Sequence, residues 1–276
     1  MTDSTSENTD TTNYDNYCLY LRTVQSSAFR VLIEALKEIL TDTNLEFDDK
    51  NIKVVAMDPS HTVLVHLKLD SDKFEKYYCP NKLLLGINTL NLFKLIKSLQ
   101  NNDILTIFVE KNNTNQLGIR MENGEANQIT QYKMNLMDLN QENIQIPPLE
   151  FESVITLPSC NFQKICRDMF NLSDNIEITT FEQQITFKCT GDIADQETTI
   201  GQSNNGNMSF VNHNNSNEII QGIFSLKYLV LFTKCTNLCS SIELYLKNDY
   251  PLIIRYQVAN LGEVKLCLAP ISLNDN

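Results

Sequence analysis

The sequence predicts an α+β protein made of two similar halves, each with two amphipathic helices packed on antiparallel sheets. Three observations carry that expectation. Four segments place apolar residues at helical spacing, most of the remainder reads as short alternating runs between Asp, Asn, Ser and Gly, and the order helix, strands, helix, three strands occurs twice. The 276 residues suit about two domains of ~150 residues. A hydrophobic content of 42% against 20% charged residues is enough for each half to bury a core.

Residues 1–16, MTDSTSENTDTTNYDN, have no apolar period and read as a disordered acidic tail. In AFRVLIEALKEIL, from Ala28, the stripe Phe29, Leu32, Ile33, Leu36 and Leu40 predicts the first helix, with Arg30, Glu34 and Lys37 opposite. The runs LEF, NIKVVAM, TVLVHLKL and KFEKYYC read as antiparallel strands. The second helix, NTLNLFKLIKSL, buries Leu92, Phe93, Ile96 and Leu99 and turns Lys94 and Lys97 to another face. ILTIFVE, QLGIRME and ITQYKMNLM close this half as strands. The adjacent prolines Pro147 and Pro148 then forbid a helix and favour an extended path. The expected divisions are a first domain at 17–134, a connecting linker at 135–152 and a second domain at 153–276.

In the second half Ser159 is the expected N-cap of a helix, CNFQKICRDMF, with Phe162, Ile165, Cys166 and Met169 inward and Lys164 and Arg167 outward. IEITTF, ITFKCT and ETTIGQ follow as strands. A fourth helix runs through SLKYLVLFTKC, with Leu226, Leu229, Val230 and Thr233 on one side and Lys227 and Lys234 on another. SIELYLK, YPLIIRYQV and EVKLCLAP complete the repeat. From Arg30 to Lys94 is 64 residues and from Lys164 to Lys227 is 63, so the two halves keep nearly one spacing.

Composition and motifs exclude several function classes. Lys and Arg number 22 against 34 Asp and Glu, a net charge of −12, so any contact with nucleic acid must be local rather than spread over the surface. No apolar run reaches ~18 residues and the N-terminus is polar, so neither a membrane span nor a secretory signal is expected, and a soluble intracellular protein is. The eight cysteines form no CxxC pair and the three histidines show no ligand spacing, which predicts free thiols, no metal and no cofactor. There is no GxSxG, Walker loop, GxGxxG or HExxH, so catalysis is not expected. Asp58, Ser60 and His61 within MDPSH are triad residue types, but neighbours this close on one chain cannot form the required relay.

The positive signal is that this acidic chain sets Arg30, Lys37, Lys94, Lys97, Lys164, Arg167, Lys227 and Lys234 on the non-core sides of four helices. On one helix, Lys and Arg would simply solvate a surface. Repeated at the same spacing, they predict a positive strip suited to sequence-independent phosphate contacts.

From about Tyr20 to Ile271 the chain also resembles the eukaryotic-type DNA sliding clamps, the proliferating cell nuclear antigen family. The stretches LRTVQ, VLIEALKEI, MDPSH with LVHL, YKMNLMDL, FQKICRDM, LFTK and CLAP carry the resemblance. It implies the DNA-clamp fold and a homotrimeric ring around double-stranded DNA, with the eight basic residues on its inner helices. It implies a polymerase processivity factor, loaded by an ATP-driven clamp loader, that tethers polymerases, nucleases and ligases through short aromatic-rich peptides. It further implies work in the nucleus, or at a viral replication site if the source is a large DNA virus. The alternative within the fold is a subunit of a heterotrimeric DNA-damage checkpoint clamp, against which the intact MDPSH and LMDL segments weigh.

The family's partner pocket maps onto Met57, His61, Thr62, Leu64, Ile144, Ile146, Pro147, Pro251, Cys267, Ala269 and Pro270. An extended linker with Ile144 and Ile146 offers backbone groups and alternate side chains to a peptide. The chain departs from the family at several places, including Pro148 after Pro147 and the acidic N-terminal tail, which has no counterpart. Cys267 replaces an aromatic residue, Gln145 a linker glycine and Glu182 a ubiquitin-acceptor lysine, and the Asn-rich loop from Gly201 has no counterpart.

Overall fold

The computed structural model of the protein describes residues 14–140, 144, 151, 153–202, 208–212 and 219–271. The first half runs β1 (Tyr17–Thr23), α1 (Ser26–Ile39), β2 (Asp42–Phe47), β3 (Asn51–Met57), β4 (Val63–Asp70), β5 (Lys76–Tyr78), β6 (Leu83–Asn88), α2 (Thr89–Ile96), β7 (Ile104–Glu110), β8 (Asn113–Asn123) and β9 (Gln128–Asn135). The second repeats the order: β10 (Ser153–Pro158), α3 (Ser159–Phe170), β11 (Asn175–Phe181), β12 (Gln184–Thr190), β13 (Asp195–Gly201), β14 (Ser209–Asn212), β15 (Ile220–Ser225), α4 (Leu226–Phe232), β16 (Ser241–Leu246), β17 (Leu252–Val258) and β18 (Gly262–Leu268). No helix among the described residues is long and apolar enough to cross a membrane.

The strands form three antiparallel sheets, ordered β5-β1-β7-β8-β9, β14-β10-β16-β17-β18-β4-β3-β2-β6 and β13-β12-β11-β15. The nine-stranded sheet is the five-stranded sheet of the second half joined to the four-stranded sheet of the first. The seam is β18 against β4, in register from Gly262 opposite Leu69 to Leu268 opposite Val63. By the repeat, β9 is the counterpart of β18 and β13 the counterpart of β4, and both lie at sheet edges.

The helices lie in one row. α1 packs against α2 on one side and against α4 and the 3-10 turn Thr233–Leu238 on the other, and α3 packs against α4 and that turn. Apolar faces dictate this layer: Phe29, Leu32, Ile33, Leu36 and Ile39 of α1 and Phe162, Ile165, Cys166 and Met169 of α3 are buried.

Several elements differ from their expected form. β1, β6, β10, β14 and β15 are strands that alternation does not reveal, since YCLYLRT and LLLGIN are apolar on both faces and β14 lies inside the Asn-rich loop. Ser159, expected as an N-cap, is the first residue of α3, after Pro158. Its hydroxyl instead donates to the Cys239 carbonyl at 2.6 Å, as Ser26 at the start of α1 donates to the Asp103 carbonyl at 2.8 Å. The fourth helix stops at Phe232 and tightens into the 3-10 turn, so Phe232 rather than Val230 joins the core. Tyr14, inside the expected tail, stacks on Tyr78 at 4.8 Å and meets Tyr20 edge-on; residues 1–13 lie outside the described residues.

Candidate DNA-binding face and partner pocket

The row of helices carries all eight basic positions, and they divide into two kinds. Lys94, Lys97, Lys164, Arg167, Lys227 and Lys234 are exposed, and none has a carboxylate within ion-pair distance among the described residues. Arg30 and Lys37 of α1 are half-buried. Arg30 pairs with Glu34 at 3.5 Å, and Lys37 pairs with Glu38 and lies 5.0 Å from the centre of the Phe93 ring. Counting side chains, α1 is neutral, α3 carries one net positive charge, and α2 and α4 hold no acid. The free cations therefore sit on α2 with its C-cap Lys97, on α3, and on α4 with the turn after it. An array of unpaired cations on one layer suits the backbone phosphates of a duplex.

Some of the residues expected in the partner pocket lie on strands of the nine-stranded sheet. A row of partly exposed apolar side chains crosses five strands: Tyr245, Ile253, Cys267, Leu64 and Met57, each paired with the next. Phe151 lies edge-on to Tyr245 at one end, with ring centres 5.4 Å apart. One pair further along the strands the surface turns polar, where Arg255 bridges Glu243 at 2.8 Å and Glu263 at 2.5 Å. An apolar row bordered by charges gives an incoming peptide one place to bury rings. Burial pushes the Cys267 thiol up to about 11, so it stays neutral and the row carries no charge at neutral pH.

The segment after β9 is pinned over the first half. Gly86 in β6 accepts the Met137 N–H at 2.8 Å, and a Cβ on Gly86 would lie 2.2 Å from the Met137 carbonyl oxygen, so this approach requires glycine. Beyond it Leu139, Asn140 and Ile144 line a groove of about 450 Å³ together with Val55, Ala56, Met57 and Leu84 and the charged Asp42, Glu46, Lys53 and Lys82. Ile146, Pro147, Pro148 and Gln145 lie outside the described residues. Pro251 is exposed, Ala269 and Pro270 are half-buried, and the Ala269 N–H donates to the Thr62 carbonyl at 3.0 Å, placing the C-terminal segment beside the β3–β4 loop.

That loop is the MDPSH segment. Asp58 Oδ1 accepts the N–H groups of Thr62 at 2.8 Å and Val63 at 2.7 Å, and Oδ2 accepts the Ser60 N–H at 3.2 Å and the Ser60 hydroxyl. Burial alone would raise the Asp58 pKa, but these hydrogen bonds outweigh it and hold the carboxyl below its ordinary range. The carboxylate is thus occupied in building a turn, with His61 exposed at φ 56. Sequence reasoning missed Ile253, Tyr245, Leu84, Leu139 and Gly86. Only strand register sets Ile253 beside Cys267 and Tyr245 beside Ile253, although Gly inside an apolar strand run was a usable sign of a close backbone approach.

Both halves of the chain match known proteins. Residues 18–144 match the family model described as proliferating cell nuclear antigen, N-terminal domain, and residues 145–271 match its C-terminal domain model. A protein of Paramecium bursaria Chlorella virus 1 named "Probable DNA polymerase sliding clamp 1" is 37% identical over 261 residues, covering 93% of this chain and 98% of that protein. The "Proliferating cell nuclear antigen" of Chaetomium thermophilum is 32% identical over 255 residues, covering 91% and 97%. With both halves of its repeat matched, the chain belongs to the proliferating cell nuclear antigen family.

Proposed function

We propose that this chain is a DNA polymerase processivity factor: a homotrimeric sliding clamp that encircles duplex DNA, has no enzymatic activity and tethers replication and repair enzymes. The observation that carries the reading is the contrast between one closed seam and two open edges. Within the chain β18 pairs with β4, while among the described residues their counterparts β9 and β13 have no neighbour on their outer sides. Repeating the same pairing head to tail, β9 of one copy on β13 of the next, removes both edges and sets α3 beside α2 of the neighbouring copy. A heterologous contact of this kind closes into a ring when its rotation allows. The six free cations would then line the inner surface three times over, giving contacts that hold DNA without choosing a sequence.

We read residues 135–152 as the linker between the domains, and the apolar row with the adjoining groove as the seat of aromatic-rich peptides from polymerases, nucleases and ligases. A clamp loader opens and closes such a ring around DNA. The names of the viral and fungal relatives support work at a site of DNA replication, nuclear or viral.

The test is polymerase stimulation on primed DNA. Wild-type protein is expected to extend the products, and replacing Lys94, Lys97, Lys164 and Arg167 together by Glu is expected to abolish the effect while the ring persists. Undiminished stimulation by the quadruple variant at moderate salt would reject the inner-face assignment.

A further inference from the structure

Tyr228 of α4 and Ser60 of the β3–β4 loop lie 168 residues apart in sequence, yet their hydroxyl oxygens are 2.8 Å apart. Ser60 has one hydroxyl hydrogen, and its oxygen lies against Oδ2 of the ionised Asp58, the stronger acceptor compared with the Thr62 hydroxyl at 3.1 Å. With that hydrogen spent on Asp58, Tyr228 is the donor to Ser60. The result is a relay in which Tyr228 O–H polarises Ser60 O–H toward Asp58, and bonds in such a chain strengthen one another.

The far oxygen of Asp58 holds the N–H groups of Thr62 and Val63, which lead directly into Leu64. The Thr62 carbonyl in turn accepts the Ala269 N–H. Pro59, Ser60 and His61 are exposed, and His61 occupies a left-handed backbone conformation that non-glycine residues avoid. Hydrogen bonds rather than packing therefore fix this turn, and among the described residues its side-chain tie to the second half is Tyr228.

We propose that the Tyr228 hydroxyl is a positioning group for the partner pocket: by donating to Ser60 across the two halves, it holds the Asp58–Thr62 turn in the shape that presents Met57, Thr62 and Leu64 to a docking peptide. The role rests on the pocket assigned above. It also ties that pocket to α4, the helix that carries the exposed Lys227.

Tyr228→Phe isolates the hydroxyl, because the ring and its neighbour Lys227 at 5.5 Å remain. Calorimetric titration of the full-length protein with a synthetic peptide bearing two adjacent aromatic residues is expected to show binding about threefold to tenfold weaker in Tyr228→Phe. Ser60→Ala should lose a similar factor, and the double variant should lose no more than the larger single loss, because both changes break one relay. Amide exchange at Thr62 and Val63 should quicken in Tyr228→Phe, with assembly and the salt dependence of DNA binding unchanged. Losses that multiply in the double variant, or wild-type affinity and exchange in Tyr228→Phe, would overturn the positioning role alone. A wild-type protein that assembles but never binds the peptide would overturn the pocket, and the positioning role with it.

Discussion

The seam between β18 and β4 and the free edges at β9 and β13 are the same construction in two states. In β4 every second side chain is buried, from Val63 to Leu69, and β18 buries Val264, Leu266 and Leu268. In β9 the pattern alternates between exposed and half-buried, and Ile129 is 60% exposed. β13 alternates likewise and carries Asp195 and Glu197. The period is the same and only the depth differs, so what the edges lack is a neighbouring strand, not an amphipathic pattern. Charged side chains such as Lys133, which pairs with Glu110 at 3.0 Å, keep an unpaired edge from indiscriminate pairing.

The same substitution should therefore have opposite consequences at the two places. Leu67→Asp puts a carboxylate into the seam core, where Leu67 is 2% exposed, and is expected to cost more than about 4 kcal/mol and leave little folded protein. Ile129→Asp on β9 is expected to leave the fold and its melting temperature nearly unchanged while weakening assembly. Thermal unfolding with sedimentation on both variants checks the pair, and unfolding by Ile129→Asp would remove the distinction between seam and edge.

A second contrast separates α1 of the first half from α3 of the second. Arg30 and Lys37 of α1 are paired with Glu34 and Glu38, whereas Lys164 and Arg167 of α3 have no ion pair among the described residues. Alanine at both α3 positions should flatten the dependence of DNA affinity on salt, by roughly 0.9 in log–log slope for each phosphate that is no longer neutralised. Alanine at Arg30 and Lys37 should change it less, and Glu34→Gln with Glu38→Gln should steepen it by freeing α1. Equal slopes for the two alanine pairs would break the contrast between the helices.

The loops joining β3 to β4 and β12 to β13 sharpen the comparison at smaller scale. Asp58 is buried and accepts four hydrogen bonds, while Asp192 in the equivalent loop is exposed beside Ile193, which is 82% exposed. Asp58→Asn is expected to cost about 1–3 kcal/mol at neutral pH and Asp192→Asn close to nothing. Because the folded Asp58 pKa lies below its unfolded value of 3.8, its contribution is present above that pH and lost as pH falls through the folded value. The stability gap between wild type and Asp58→Asn should close on acidification. A gap independent of pH would mean that the turn does not depend on the charge.

These contrasts also mark what the sequence made legible. The amphipathic stripes of α1 and α3, the alternating strands and the repeated basic positions follow from periods of 3.6 and 2 and can be read from residues alone. The tight turn after Phe232 could not be read, because Thr233 to Leu238 continues a helical pattern while bonding as a 3-10 turn. Nor could the hydroxyl of Ser159, which serves the loop before β16 instead of its own helix. For the candidate site, basic spacing reached the cations but not the glutamates that engage Arg30 and Lys37. Aligning Tyr245, Ile253 and Cys267 in one row required strand register, a long-range property.

The central claim is that the pairing of β18 with β4 is repeated between copies, and native mass tests it most directly. Sedimentation equilibrium of the purified protein across micromolar concentrations is predicted to give a single species of three 31.6 kDa subunits. A concentration-independent mass of one subunit would contradict the account.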